Sequence, residues 1–193
     1  FAVFLNIKTA NMKNSIIVLA LLCSFNLLSQ CKVDYDRFEQ VYTIGSDFVE
    51  IGKMPRKNLL TVPFFIKAKI ECDYGEKEKR KAYFLHIIPE FEAIQTIRKG
   101  TPLYIEFENN EVLKLEIEET TASEFKDGKA FTQGTSKTIW YNQIIFHLTE
   151  SDMKKLASMP IIAIKCLWNE YTISDKDFLL GSLMCINSEI SNK

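Results

Sequence analysis

The sequence predicts an α+β protein dominated by a mostly antiparallel β-sheet, arranged as a β-sandwich or a half-open barrel. Apolar and polar residues alternate with a period of two between Leu60 and Glu71, the pattern of a strand with one buried face. Further strand-like segments follow, with short connections typical of hairpins. The C-terminal segment instead carries apolar residues at helical spacing. We therefore expect a large sheet accompanied by one short helix and a C-terminal amphipathic helix.

The composition agrees with a globular protein. The chain has 193 residues, of which 47% are hydrophobic and 25% are charged, and these values exclude a disordered or collagen-like chain. The formal net charge is −1. Because nucleic-acid-binding domains usually carry an excess of basic residues, no nucleic-acid partner is expected.

The N-terminal segment has the pattern of a secretory leader. Met12 is the first methionine, and it is followed by Lys13, an apolar run from Ile16 to Leu28, and Ser29. A basic start, a short apolar run and a small residue are the parts of a signal peptide. The run is shorter than the ~20 apolar residues that span a membrane, so no membrane span is expected in the mature chain.

We interpret residues 1–29 as an upstream extension followed by this leader, with the true start at Met12. Cleavage after residue 29 would leave one β-rich domain over residues 30–193. The predicted location is exported, in the periplasm, at the cell surface or secreted. In the rival interpretation the protein is a lipoprotein anchored through Cys31, although Gln30 stands where Gly or Ala normally precedes a lipidated cysteine.

The first strands of the domain form a predicted hairpin. The strand at 60–71 contains Pro63, which cannot donate a hydrogen bond to a neighbouring strand and therefore suggests a sheet edge or a bulge. The segment 73–81 is typical of a solvated hairpin loop because its positive and negative charges alternate. The chain returns as a second strand over 82–88, which we expect Pro89 to end.

A second hairpin is predicted around Asn109 and Asn110, between strands at 103–107 and 112–118. Cross-strand partners lie on the same side of a sheet, so the apolar residues of the two strands should pair. Asn tolerates a positive φ and suits the turn. The expected register places Phe107 opposite Leu113, Ile105 opposite Leu115, and Glu106 opposite Lys114 on the solvated side.

The segments around this hairpin are less regular. Residues 91–97 suit either one helical turn or a short strand, and residues 99–102 suit a turn. Residues 120–137 include two glycines and several Ser and Thr, which is typical of a long surface loop. The strand predicted over 138–148 is apolar on both faces, so we expect it at the centre of the sheet or between layers.

Helix signals mark the last part of the chain. Thr149 is a good N-cap for a short helix ending at Ala157, because its hydroxyl can accept a backbone hydrogen bond and acidic residues follow. A strand over 161–168 and a tight turn at 169–170 come next. Ser174 has the character of an N-cap for the final helix. The apolar stripe of that helix consists of Leu179, Leu183, Ile186 and Ile190.

This order of elements resembles that of small exported bacterial proteins of unassigned function. The resemblance covers the leader, the strand-rich middle, the strand-to-helix turn at Leu148-Thr149-Glu150-Ser151-Asp152 and the final amphipathic helix. It rests on arrangement and includes no catalytic motif, so it implies no activity and no functional residue.

Motifs for common enzyme chemistry are missing from the sequence. The two histidines, His86 and His147, lack the spacing of a zinc site, and no C-x-x-C, G-x-S-x-G, phosphate-loop or dinucleotide-binding motif occurs. We therefore predict no catalytic residue, no metal site and no cofactor. Carboxylates two residues apart do occur on polar strand faces: Glu106 with Glu108, and Glu116 with Glu118.

Aromatic residues supply the candidate ligand-binding positions. Exposed aromatic rings on a sheet can stack on sugar rings, and ordinary core packing is the other interpretation. The candidates are Trp140, Tyr141, Trp168 and Tyr171.

Four cysteines remain after the expected cleavage: Cys31, Cys72, Cys166 and Cys185. The C-terminal helix has to cover some face of the sheet, and the nearest strand in sequence carries Cys166. We therefore favour a disulfide between Cys166 and Cys185. The alternative is that both are buried thiols that pack as small apolar residues.

The sequence favours an exported, non-enzymatic domain that binds a partner protein or an envelope component. One alternative is a hydrolase acting outside the cytoplasm, with Glu106 and Glu116 in acid–base roles. Another is a structural subunit that pairs with a neighbour through a strand edge, as Pro63 suggests.

Overall fold

The computed structural model describes residues 31–55, 64–130 and 136–193. Within these residues, twelve strands form one antiparallel sheet that curls into a half-barrel, and two short strands form a separate sheet. The sheet-dominated α+β architecture predicted from the sequence is confirmed. The elements are β1 (Lys32–Asp36), β2 (Val41–Gly45), β3 (Val49–Lys53), β4 (Phe65–Gly75), β5 (Arg80–Phe91), β6 (Thr96–Ile97), β7 (Pro102–Phe107), β8 (Val112–Glu116), β9 (Thr121–Ala122), β10 (Glu124–Ala130), β11 (Ser136–Tyr141), β12 (Ile144–Leu148), α1 (Glu150–Ser158), β13 (Ile161–Cys166), β14 (Asn169–Ile173) and α2 (Phe178–Ser191).

The long strands β4 and β5 pair with each other and organise the sheet. The other side of β4 pairs directly with two strands: β3 pairs with the first residues of β4, and β2 pairs with its last residues. In the same way, the other side of β5 pairs with β12 along its middle and with β11 at its last two residues. Beyond β3 the order continues through β14, β13, β7 and β8, while β10 lies outside β11 and β1 pairs with β2. The two long strands therefore connect both ends of the curled sheet.

The alternation predicted for the first long strand is confirmed in β4. Ile66, Ala68, Ile70 and Cys72 are fully buried, and the residues between them are partly exposed. The buried face packs against α2. The start of the predicted strand at 60–63, including Pro63, lies outside the described residues.

β5 runs through Pro89, which was expected to end the strand. Pro89 lies opposite Ile66 on β4, and its carbonyl accepts a hydrogen bond from Asn142 N at 3.4 Å. β11 ends just before Asn142 and β12 begins just after Gln143, so Pro89 lies where the neighbouring strand changes. A residue without an N–H is tolerated there because the ladder is already interrupted.

The prediction of one buried strand over 138–148 is wrong, because the strand is interrupted at residues 142–143. β11 and β12 are separate, and β12 alternates between buried and exposed residues. Among the described strands β12 pairs with β5 alone, which leaves it at a sheet edge with Ile145 45% exposed.

The β7–β8 hairpin confirms the predicted faces but has a register shifted by two residues. The turn is shorter than expected because Phe107 N donates to Glu111 O at 2.9 Å and Asn110 takes a φ of 64°. A three-residue loop closed by a left-handed residue is a common hairpin connection. An even shift keeps every side chain on its own face. The observed partners are Ile105 with Leu113, Leu103 with Leu115, and Tyr104 with Lys114, in place of the predicted pairs of Phe107 with Leu113, Ile105 with Leu115 and Glu106 with Lys114.

The segment 120–137, predicted as a long surface loop, instead contains β9, β10 and the start of β11. β9 pairs with β6, so residues 91–97 contain a short strand rather than a helical turn. β10 pairs with β11, with an irregularity between Phe125 and Asp127. Gly128 is tolerated in β10 because this strand has a single partner among the described strands and lies at one end of the sheet. Residues 131–135 lie outside the described residues.

The turn after β13 lies two residues earlier than predicted. Cys166 pairs with Asn169, so the turn residues are Leu167 and Trp168 rather than 169–170. Leu167 takes a φ of 56°, and a two-residue hairpin turn commonly requires a positive φ.

The start of α2 also differs from the prediction, whereas the start of α1 confirms it. Asp177, not Ser174, is the N-cap of α2, because the Ser174 hydroxyl instead donates to Ile51 O at 3.3 Å. At α1, Thr149 Oγ1 accepts from Asp152 N at 3.2 Å, and Asp152 Oδ2 accepts from Thr149 N at 3.0 Å. This reciprocal pair is a capping box.

The predicted Cys166–Cys185 disulfide is wrong. Cys185 is bonded to Cys31, with 5.8 Å between their Cα atoms, and Cys72 and Cys166 are buried thiols. The physical reason is that α2 packs against β4 and β2. Cys31 directly precedes β1, the partner of β2, so it reaches α2 although it is far away in sequence.

Candidate functional site

A cavity lies between α1 and α2, beside the start of β5. Its volume is about 360 Å³ and it is open to solvent on one side. We call it the helix groove. Its apolar surface consists of Met153 and Ala157 from α1 and Leu180, Leu183 and Met184 from α2.

The capping box at Thr149 determines which side of α1 faces the groove. With the helix starting at Glu150, Met153 and Leu156 turn inward and are buried. Ala157 follows Met153 by one helical turn and continues the groove wall. The local sequence therefore sets one wall of the groove.

α2 provides an apolar surface wider than the predicted stripe. Leu179, Leu183 and Ile186 are buried in the core, as the stripe predicts. Leu180 and Met184 lie next to this stripe and remain 48% and 56% exposed. They are four residues apart, so they share one helix face. Sequence reasoning missed them, although that spacing was the available signal.

The polar rim of the groove carries more positive than negative charge. Lys81 and Lys154 line it from different elements, and Glu150 is the carboxylate among its lining residues. Tyr83, on β5, completes the rim. The pKa of its hydroxyl is raised, first by burial and then by the nearby Cys72 and Glu150. The groove thus combines an apolar floor with cationic edges.

A second polar cluster lies on the face of β4 and β5 that points away from the core. His86 Nε2 lies 2.7 Å from Glu71 Oε2, and Lys69 Nζ contacts the other Glu71 oxygen. Contact with the His86 ring, and then with Lys69, lowers the pKa of Glu71 from 4.5 to about 2, against the opposing effect of burial. Lys69 Nζ also lies 5.0 Å from the centre of the Phe48 ring. The cluster is a partly buried network of polar contacts that links β4 to β5.

Metal binding has no geometric support in this cluster. Among the residues the structure describes, no three His, Cys, Asp or Glu side chains come together as a metal-binding group. His147 is exposed and its ring packs against Phe84 with 5.5 Å between ring centres.

A buried polar network surrounds the junction of β11 and β12. The Asn142 side chain is fully buried and accepts from Ser123 Oγ at 2.7 Å. Its amide donates to Thr121 Oγ1 at 3.2 Å. Nearby, Glu90 Oε2 accepts from the backbone N of Phe65 at 3.0 Å. These contacts satisfy polar groups inside the sheet and are structural.

The four candidate aromatic residues do not form one platform. Trp140 and Tyr141 are on β11, and three strands separate β11 from β14, which carries Tyr171. Tyr171 is fully buried and its hydroxyl donates to Glu90 O at 2.7 Å, so it offers no surface to a ligand. Trp168 lies in a turn and is 67% exposed. A stacking role for Trp168, Trp140 or Tyr141 stays a prediction.

The carboxylates proposed for acid–base roles lie at the surface. Glu116 pairs with Lys114 at 2.8 Å, and this hydrogen bond lowers the pKa of Glu116. A general acid requires a raised pKa, which is the opposite direction. Glu106 and Glu170 line an open depression of about 350 Å³ on the outer face of the sheet.

β1 is one of the edge strands described, and its five residues are all exposed. Within β1, Asp34 Oδ1 accepts a hydrogen bond from Tyr35 N at 2.9 Å. Lys32, Asp34 and Asp36 place charge along the strand, which is how natural edges avoid pairing. Pairing through this edge stays a prediction.

Comparisons with known proteins give no relative: no family model, no curated protein and no solved structure matches this chain. No helix in the described part of the chain is long and apolar enough to cross a membrane.

Proposed function

We propose that this protein is an exported, non-enzymatic binding domain that takes an apolar chain into the helix groove. The observation that supports this most is the exposure of Leu180 and Met184 beside buried Leu183 and Met153. Apolar residues that line a concave site and stay open to solvent are typical of binding surfaces.

The energetics favour an apolar ligand. Fully burying a Leu or Met side chain is worth about 1.5–3 kcal/mol, so covering the exposed halves of Leu180 and Met184 contributes about 1 kcal/mol each. Methionine adapts to ligands of different shape because its side chain is unbranched and polarisable. Met153 and Met184 stand on opposite walls of the groove and could both adjust to a flexible chain.

A binding role also agrees with the chemistry of the lining residues. The ionisable side chains that line the groove are Lys81, Tyr83, Glu150 and Lys154. Acid–base catalysis needs a group with a pKa near the working pH, and the raised pKa of Tyr83 is far from it. These side chains are suited to contact and charge attraction.

Export is supported by two features of the chain. The segment from Met12 to Ser29 has the pattern of a secretory leader. The Cys31–Cys185 disulfide is of the kind that persists in oxidising compartments. An exported domain with an apolar groove would meet envelope components that carry apolar chains.

The test is calorimetric binding of n-dodecyl-β-maltoside, an uncharged single-chain amphiphile, below its micelle concentration. We expect Leu180→Asp and Met184→Asp each to weaken binding about tenfold, which corresponds to ~1.4 kcal/mol. Ile94→Asp is the matched control, because Ile94 is 63% exposed and lies outside the groove. Absence of binding to the natural chain, or equal binding by all variants, would show the proposal to be wrong.

A further inference from the structure

We propose that the helix groove selects a single-chain anionic amphiphile: a saturated hydrocarbon chain that ends in a carboxylate. The chain would cover Leu180 and Met184, and the carboxylate would lie beside Lys81 and Lys154. This inference rests on the proposed function and adds the class of ligand.

The charge preference comes from two unpaired lysines. Lys81 and Lys154 are exposed, and neither has an ion-pair partner among the residues that the structure describes. Lys155, the neighbour of Lys154, instead pairs with Glu111 at 3.0 Å. The groove therefore keeps two free cations against one carboxylate, Glu150. An anionic head group complements this balance.

The length preference comes from the apolar lining of the groove. Each methylene that enters the groove should raise affinity about fourfold. Affinity should therefore increase with chain length until Met153, Leu180 and Met184 are covered and then level off, because further methylenes remain in water.

A single chain fits the groove better than the helix of a partner protein. A bound helix presents three or four apolar anchors along two or more turns. The exposed apolar residues of α2 at the groove, Leu180 and Met184, are one turn apart, about 6 Å along the axis. That length matches a short stretch of a flexible chain.

The test compares ligands that share a twelve-carbon chain and differ in head group, all below their micelle concentrations. Titration calorimetry on the full chain would use dodecanoate, dodecyltrimethylammonium and n-dodecyl-β-maltoside. We expect dodecanoate to bind about fivefold more tightly than the cationic ligand, because only the carboxylate can form exposed ion pairs with the two lysines. Octanoate and decanoate should bind progressively more weakly than dodecanoate.

Charge variants identify the groups responsible. Lys81→Gln combined with Lys154→Gln should abolish the preference for dodecanoate, so that dodecanoate and dodecyltrimethylammonium bind this variant with equal affinity. Lys53→Gln is the matched control, because Lys53 is exposed and outside the groove, and it should keep the preference.

Each remaining outcome is decisive. Equal binding of the three ligands would overturn the charge preference and leave the proposed function standing. A preference that persists in the double lysine variant would also overturn it. Failure of all three ligands to bind would overturn the proposed function together with this inference.

Discussion

Cys31 and Cys185 are separated by 154 positions in sequence, yet a disulfide joins them, with their Cα atoms 5.8 Å apart. Cys31 precedes the edge strand β1, and Cys185 lies on α2, which forms one wall of the helix groove. The bond therefore ties the sheet edge to the helix that carries Leu180 and Met184. Its loss should affect both stability and the groove.

Reduction should destabilise the protein measurably. Closing so long a loop restricts the unfolded chain, and removing such a bond costs about 2–5 kcal/mol. We expect Cys31→Ala and Cys185→Ala to lower the urea midpoint and to make unfolding insensitive to dithiothreitol. Cys166→Ala is the control: Cys166 is a free thiol, so this variant should still respond to dithiothreitol. A non-reduced peptide map linking Cys166 to Cys185 would contradict the assignment.

Two glycines should respond in opposite directions to the same substitution. At Gly52 an added Cβ would collide with Thr172 O and lie 3.1 Å from Ile173 Cα, so we expect Gly52→Ala to cost about 2 kcal/mol. Gly181 lies inside α2, and a methyl group added there would meet open space. We expect Gly181→Ala to stabilise by about 0.5–1 kcal/mol, because Ala loses less backbone entropy in a helix. Urea unfolding measures both, and equal effects would refute the packing at Gly52.

Glu71 should give the protein a specific acid sensitivity. The pKa of Glu71 is lowered from 4.5 to about 2 in the folded protein, so folding favours the charged carboxylate. Its contribution to stability is complete above pH 4.5 and is lost as the pH falls from 4.5 towards 2. Glu71→Gln should therefore be less stable at neutral pH and should show a flatter stability curve in that window.

The control for this prediction is Glu116→Gln. Glu116 is exposed and pairs with Lys114, so solvent screens its interaction and its removal should change the acid profile less. Urea midpoints measured from about pH 7 down to about pH 2.5 make the comparison. Parallel curves for the natural protein and Glu71→Gln would contradict the account of the Glu71 cluster.

Local sequence patterns were sufficient to predict some features of the fold and insufficient to predict others. The alternation of β4 and the N-cap at Thr149 depend on residues close together in sequence, and both predictions are confirmed. The hairpin register failed by two residues because it depends on the φ of a single turn residue, Asn110. Alternation fixes the face of a side chain, whereas turn geometry fixes its partner.

Features that depend on tertiary packing could not be predicted from the sequence patterns. The disulfide prediction chose the strand nearest to α2 in sequence, but the helix packs on β2 and β4 instead. The groove requires α1, α2 and the start of β5 to meet, and no local pattern specifies that meeting. The i, i+4 spacing of Leu180 and Met184 indicated an apolar surface without indicating that α1 would lie beside it.

The methionine methyl groups give the most direct measurement of groove binding. Met153 and Met184 line the groove, whereas Met54 and Met159 lie elsewhere in the described structure. The protein would be labelled with ¹³C at its methionine methyl groups and titrated with n-dodecyl-β-maltoside below its micelle concentration. Apolar binding in the groove predicts that the Met153 and Met184 methyl resonances shift together and saturate while those of Met54 and Met159 stay in place. Unchanged Met153 and Met184 resonances, or shifts confined to Met54 and Met159, would contradict the proposal that this groove is the binding site.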